Sequence, residues 1–236
     1  MADKHKRFDR HAPRSGETVV LIHGLWMPAM VMGLLARRLR RAGWITAVFP
    51  YSSRHATTRQ NAARLAAFLE TVNAPVVHFV AHSLGGLVLI QLLQDDPGQR
   101  PGRVVLLGTP YRGSHVARWL SRHGWGRWLC GLSLRGALLG DGPRWPGGRD
   151  LGVIAGTTPF GAGLMIPGLP RPHDGTVALA ETEVPGQTDR LTLPVSHTAL
   201  LFSEAVARQV AAFLGEGRFL STFPSSLSGS RDDHSV

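Results

Sequence analysis

The chain is 236 residues long, 43% apolar, and carries a formal charge of +10 at pH 7. That length suits one medium domain with a sizeable core, and the single cysteine, Cys130, excludes an intrachain disulfide and a cysteine-based metal site. Lysine occurs only at positions 4 and 6, so the basic excess is arginine. It is scattered along the chain rather than gathered into one element, which argues against a specific nucleic-acid reader and for an arginine-rich surface. No apolar run reaches transmembrane length and the basic start leads into no signal-like segment, so the expected location is cytoplasmic.

Residues 1–16 are polar and are expected to form a flexible N-terminus. Thr18 to Ile22 reads as a buried strand that ends at His23-Gly24-Leu25-Trp26. Pro28 can open a helix. From Met30 to Arg41 the apolar positions 31, 34, 35 and 39 oppose arginines 37, 38, 40 and 41, an amphipathic pattern that stops at Gly43. Trp44 to Phe49 is a second strand, closed by Pro50. Thr58 to Thr71 is a second helix, with Leu65, Phe68 and Leu69 on one face. Val76 to Val80 and Arg103 to Leu107 are the third and fourth strands. An apolar helix from Leu87 to Leu93 lies between them. Leu151 to Ala155 is a fifth strand, Arg190 to Leu193 a short sixth, and Ala199 to Leu214 a closing helix. From Gly215 the composition turns to Gly, Ser, Asp and Pro, so 215–236 is expected to be a disordered tail. The alternation predicts a mostly parallel α/β sheet of about six strands, covered by helices on both faces, in one domain over 17–214.

The least regular region is 111–150. It holds Trp119, Trp125, Trp128 and Trp145 with arginines interleaved. Short helices broken by Gly124, Gly126 and Gly131 would make a small helical cap that presents aromatic surface to an apolar substrate.

The chemistry is concentrated after the third strand, in Ala81-His82-Ser83-Leu84-Gly85-Gly86. A strand that runs straight into a serine between small residues, with a helix behind it, is the nucleophile-elbow pattern, here with Ala81 at the first glycine position. The Leu84 N–H would then face the charge that develops in acyl transfer. A serine nucleophile needs a base, and the base an orienting carboxylate, in the chain order serine, acid, histidine. His197, between the last strand and the last helix, is the best-placed base; His115, His123 and His173 are less well placed. Asp174, followed by Gly175, is the favoured acid, with Asp189 and Glu183 as competitors and Asp150 at the wrong end of its strand. The second oxyanion donor belongs in the loop after the first strand, at Leu25 rather than Trp26. Trp26 and Met27 would line the substrate pocket. No zinc spacing, phosphate loop or dinucleotide fingerprint competes.

Taken with Leu107-Gly108-Thr109-Pro110-Tyr111-Arg112-Gly113-Ser114 and Asp174-Gly175-Thr176-Val177, these motifs resemble the lipase and esterase branch of the α/β-hydrolase superfamily over roughly 17–214. The resemblance implies the α/β-hydrolase fold without its two usual N-terminal strands. It implies a Ser83–His197–Asp174 triad with an oxyanion hole at Leu25 and Leu84, an acyl-enzyme, and neither metal nor organic cofactor. The substrate would be a small-molecule or lipid ester. Acyl transfer to another acceptor on the same triad is an alternative. So is a non-catalytic interaction protein on a hydrolase fold, in peripheral contact with a membrane through 111–150.

Overall fold

Strands β1 (Glu17–Ile22), β2 (Ile45–Phe49), β3 (Val76–His82), β4 (Val104–Leu107), β5 (Leu151–Gly156) and β6 (Asp189–Leu193) form one sheet in the order β2-β1-β3-β4-β5-β6. Every neighbouring pair is parallel. This is a computed structural model, and it describes residues 16–134 and 137–221. The inner strands β1, β3, β4 and β5 are near-continuous buried runs because both faces of the sheet are covered there. Val19 and Leu21 of β1 face a cluster completed by helices α1 (Gly33–Arg41), α6 (Ala199–Phe202) and α7 (Glu204–Glu216). Val20 and Ile22 face the opposite cluster, built with α2 (Thr58–Glu70) and α3 (Leu84–Asp95).

Helix boundaries follow local hydrogen-bonding chemistry. The amphipathic stretch expected from Met30 begins as a 3-10 turn, Ala29–Met32, before α1 proper buries Leu35, Ala36 and Leu39. A capping box opens α2: the Thr57 side chain accepts from the Gln60 N–H and the Gln60 side chain accepts from the Thr57 N–H. The expected single closing helix divides at Ser203, where the backbone is extended and Oγ accepts from the Val206 N–H to cap α7. Gly217, left-handed at φ 75°, ends that helix.

The tail begins later than composition suggests. Phe219 packs on Phe213 with ring centroids 4.9 Å apart, and its N–H donates to Asp189 Oδ2 at 2.7 Å. Gln209 bonds the backbone of Leu220 in both directions. The rest of the expected tail, 222–236, and residues 1–15 of the expected flexible N-terminus lie outside the described residues.

After β4 the chain forms α4 (His115–Ser121), α5 (Gly124–Cys130) and a 3-10 turn, Gly131–Leu134. The short helices break where Gly124 begins α5 and where Gly131, at φ 62°, follows its last residue, but Gly126 lies inside α5 and breaks nothing. At Gly126 a Cβ would run into the Leu120 carbonyl, so glycine here permits close packing of α5 on α4. Leu120, Ala117 and Cys130 then pack on Leu84 and Leu87 of α3, with Leu25, Trp119 and Ile166 at the margin. Cys130 is the buried small hydrophobe expected, and burial pushes its thiol up to about 11 against the opposing charge of Arg54. Trp145 departs from the expected aromatic lining. Its ring packs against the core cluster beneath α2 and α3, and its backbone N–H donates to the Tyr111 hydroxyl.

Candidate active site

The C-terminal ends of the strands bring the singled-out residues together, the usual place for a site on an open parallel sheet. β3 ends at His82, α3 starts at Leu84, and Ser83 alone makes the turn with φ 54° and ψ −124°. Ser83 and Trp26 are the only non-glycine residues with positive φ among the described residues. Such a conformation costs on the order of 1–3 kcal/mol and persists only where its surroundings impose it. Here they do. A Cβ at Gly85 would strike the backbone carbonyls of Ile22 and His23, so glycine lets α3 press directly on the end of β1.

Ser83 stands at the N-cap of α3, a position where serine normally accepts a bond from the helix, yet its side chain makes no capping bond. Its Oγ lies 3.0 Å from His197 Nε2 instead. His197 Nδ1 lies 2.6 Å from Asp174 Oδ2. The pair is further locked by the His197 N–H, which donates to the Asp174 carbonyl at 2.8 Å. Asp174 is buried, and its other oxygen, Oδ1, accepts from the N–H groups of Thr176 at 2.9 Å and Val177 at 2.7 Å. These bonds hold an ionised carboxylate, which only accepts, so the proton between Asp174 and His197 belongs on Nδ1. Nε2 is then left as the acceptor facing the Ser83 hydroxyl.

The competing residues are engaged elsewhere. Asp189 accepts from the N–H groups of Arg190 and Phe219. Glu183 pairs with Arg112 and Arg190, and Asp150 with Arg103. His115, His123 and His173 bond Pro167, Trp119 and Gly175 respectively. As the first residue of α3, Leu84 carries an N–H without an intrahelical acceptor. In the loop after β1, Ser53 Oγ accepts the Trp26 N–H at 3.1 Å, whereas the Leu25 N–H has no partner among the described residues. Trp26 itself is 47% exposed, and Met27 is half-buried against the cluster that contains α1. A separate open depression of about 760 Å³ lies at the other end of the sheet, lined by Glu17, His78, Arg103 and Asp150 among others. There His78 pairs with Glu17 and Arg103 with Asp150, while Arg149 donates to the carbonyls of Gln99, Arg100 and Gly102.

Sequence reasoning passed over His82. It is fully buried at the end of β3, and its Nε2–H donates to the His197 carbonyl at 3.1 Å, so it holds His197 from behind. A polar residue on a buried strand directly before the serine was the available signal. Behind it, His23 donates from Nδ1 to the Gly24 carbonyl at 2.9 Å and stacks on Tyr51, whose hydroxyl donates to the His23 carbonyl at 2.7 Å. Burial pushes His82 well below the ordinary histidine value, and burial lowers His23 as well. Both are therefore neutral when folded. Below about pH 6.5 the unfolded chain binds protons that the folded chain refuses, so stability is full above that pH and falls with acidification, by about 1.4 kcal/mol per pH unit per such histidine between its two pKa values. Urea unfolding at pH 7.5 and 5.5 should show this loss, and His82→Gln should reduce it. An undiminished pH dependence in the variant would contradict the assignment.

The fold is found in solved structures. This chain is similar to the mature lipase BlEst2 of Bacillus licheniformis, with a TM-score of 0.70 and 19% identity over 88% of this chain and 94% of that one. It is similar to the metagenomic carboxyl esterase MGS0156, with a TM-score of 0.65 and 19% identity over 80% and 67%. A hydrolase from Pseudomonas aeruginosa PA01 gives 0.60 and 20% over 87% and 92%. No curated protein matches the chain significantly in sequence. The model of the Alpha/beta hydrolase family matches residues 19–226, a span that runs from β1 through the elbow and past α7, and the chain belongs to that family.

Proposed function

We propose that this protein is a serine hydrolase of the esterase and lipase type, which cleaves carboxylic esters through Ser83, His197 and Asp174. The observation that carries the reading is the unbroken chain of contacts from Ser83 Oγ through the His197 ring to Asp174 Oδ2, set at a strained strand-to-helix turn. His197 Nε2 takes the Ser83 proton as Oγ attacks the ester carbonyl. Asp174 keeps the ring oriented and stabilises the imidazolium. The oxyanion is received by the backbone N–H groups of Leu84 and Leu25, the second chosen over Trp26 because Ser53 already occupies the Trp26 donor. His197 then protonates the departing alcohol, leaving an acyl-Ser83 that water hydrolyses by the same route. The names of the similar structures, a lipase and a carboxyl esterase, point the same way.

On this reading Trp26, Met27 and Trp119 give the acyl side an apolar character, and an acyl chain gains about 0.8 kcal/mol for each methylene it buries. The part of that gain kept in the transition state should raise kcat/KM from acetate to butyrate and beyond, by at most about fourfold per methylene. The test is turnover of p-nitrophenyl esters from C2 to C12 at fixed pH and below micelle formation. Hydrolysis that rises from C2 supports the reading. A steady fall from C2 would contradict the apolar acyl site, and no turnover of any ester by folded protein would contradict the esterase itself.

A further inference from the structure

The large apolar side chains that stay exposed are unevenly placed. Met165 is 84% exposed, Met30 82%, Phe160 73% and Trp128 72%, with Trp125 also outside. All five sit on segments that follow the C-terminal ends of strands, the end of the sheet at which Ser83 lies. These segments form a connected rim. Arg54, after β2, stacks over Trp128 of α5 at 5.1 Å and bonds its carbonyl. His115 of α4 bonds the carbonyl of Pro167 in the segment after β5, and Ile166, Leu25 and Trp119 all pack against one buried cluster that includes Leu84 and Leu87. Scattered exposed hydrophobes need no explanation, but a joined patch of them around a site does.

Charge says what the patch fits. Segments 23–32, 51–57, 111–134 and 157–173 contain six arginines and no aspartate or glutamate, in a chain that has 16 carboxylates. Carboxylates that follow in sequence are neutralised: Glu181 is buried and held by Arg118, and Glu183 is paired with Arg112 and Arg190. Only Asp141, between the last two segments, is an exposed exception. Arg122 and Arg171 are exposed and form no ion pair with a described residue. A face of protruding Met, Phe and Trp set among arginines matches an anionic bilayer, whose headgroups take the arginines while its acyl region takes the apolar tips. A nucleic acid would satisfy the arginines but leave the methionines in water.

We propose that this rim docks the protein on an anionic phospholipid surface, with Ser83 facing the bilayer. The proposal rests on the reading of Ser83 as the catalytic serine only for what it delivers; the docking itself needs no turnover. The test is therefore made on the full-length Ser83→Ala protein, by flotation with vesicles of phosphatidylcholine alone or with 30% phosphatidylglycerol, at low and high salt. Binding should favour the anionic vesicles at least tenfold and weaken with salt. An arginine near an anionic surface strengthens binding by about fivefold, so Arg122→Glu with Arg171→Glu should cost roughly 25-fold or more. Met30→Ser with Met165→Ser should weaken binding as well. In the background that retains Ser83, these four substitutions should leave turnover of a soluble butyrate ester unchanged, which shows that the variants fold. No preference for anionic vesicles, or binding insensitive to both pairs of substitutions, would overturn the proposal. So would a dimer in light scattering that the Met30 and Met165 changes dissolve, or retention on duplex DNA without vesicle binding.

Discussion

Ser83→Ala is expected to lower kcat/KM for p-nitrophenyl butyrate by roughly 10³- to 10⁶-fold, the range over which loss of a triad nucleophile is felt. The reason is chemical rather than structural. Oγ makes no helix-capping bond, and its one partner among the described residues is His197 Nε2 at 3.0 Å. Removing it forfeits one hydrogen bond, worth about 1 kcal/mol, which for a domain of this size shifts Tm by about 2–4 °C. The strained backbone at this position is imposed by Gly85 against β1 and is untouched by the change. Activity should therefore vanish from a protein that remains folded. A variant that keeps a tenth of its activity would show that the hydrolysis occurs elsewhere.

Asp174→Asn is expected to lower kcat by roughly 10²- to 10⁴-fold, with a smaller change in KM. The two oxygens of Asp174 have different tasks. Oδ1 accepts the N–H groups of Thr176 and Val177, while Oδ2 faces His197 Nδ1. An asparagine must present its carbonyl to the two backbone donors, because its amide would leave them unpaired. Its NH₂ then points at Nδ1 and donates to it. That forces the proton onto Nε2, the nitrogen that has to accept from Ser83. The ring would be well held in the wrong tautomer. Kinetics as a function of pH should show the surviving activity rising toward alkaline pH, where Ser83 loses its proton without help from the ring. Wild-type kinetics in the variant would mean that Asp174 does not orient the base.

How much of this was legible in the residues can be argued element by element. The centre of the sheet was, because its inner strands are buried on both faces and so read as apolar runs, as in Val19 to Ile22 and Val104 to Leu107. Ser83, Asp174 and His197 were legible because chain order on such a sheet constrains which loops can meet, and the structure brings all three within hydrogen-bond reach. Contacts between distant segments were not legible. Composition alone gives no sign that Phe219 returns to pack on Phe213, so the tail was drawn too early. Glycine counts could not separate a helix breaker from a close approach, and Gly126 is the latter. Trp145 joined its neighbours in a sequence count of tryptophans but lies in a different cluster from Trp119. The support that His82 gives to His197 joins residues far apart in the chain, so the buried polar residue before the serine signalled a role without naming its partner.

The most direct measurement is site mapping with a fluorophosphonate, which phosphonylates only a serine activated by its base. The native protein should take up one equivalent, and peptide mass spectrometry should place it on Ser83. Labelling should be lost in Ser83→Ala and slowed strongly in Asp174→Asn. Folded native protein that stays unlabelled at Ser83, or that is labelled equally well at another serine after Ser83→Ala, would contradict the account.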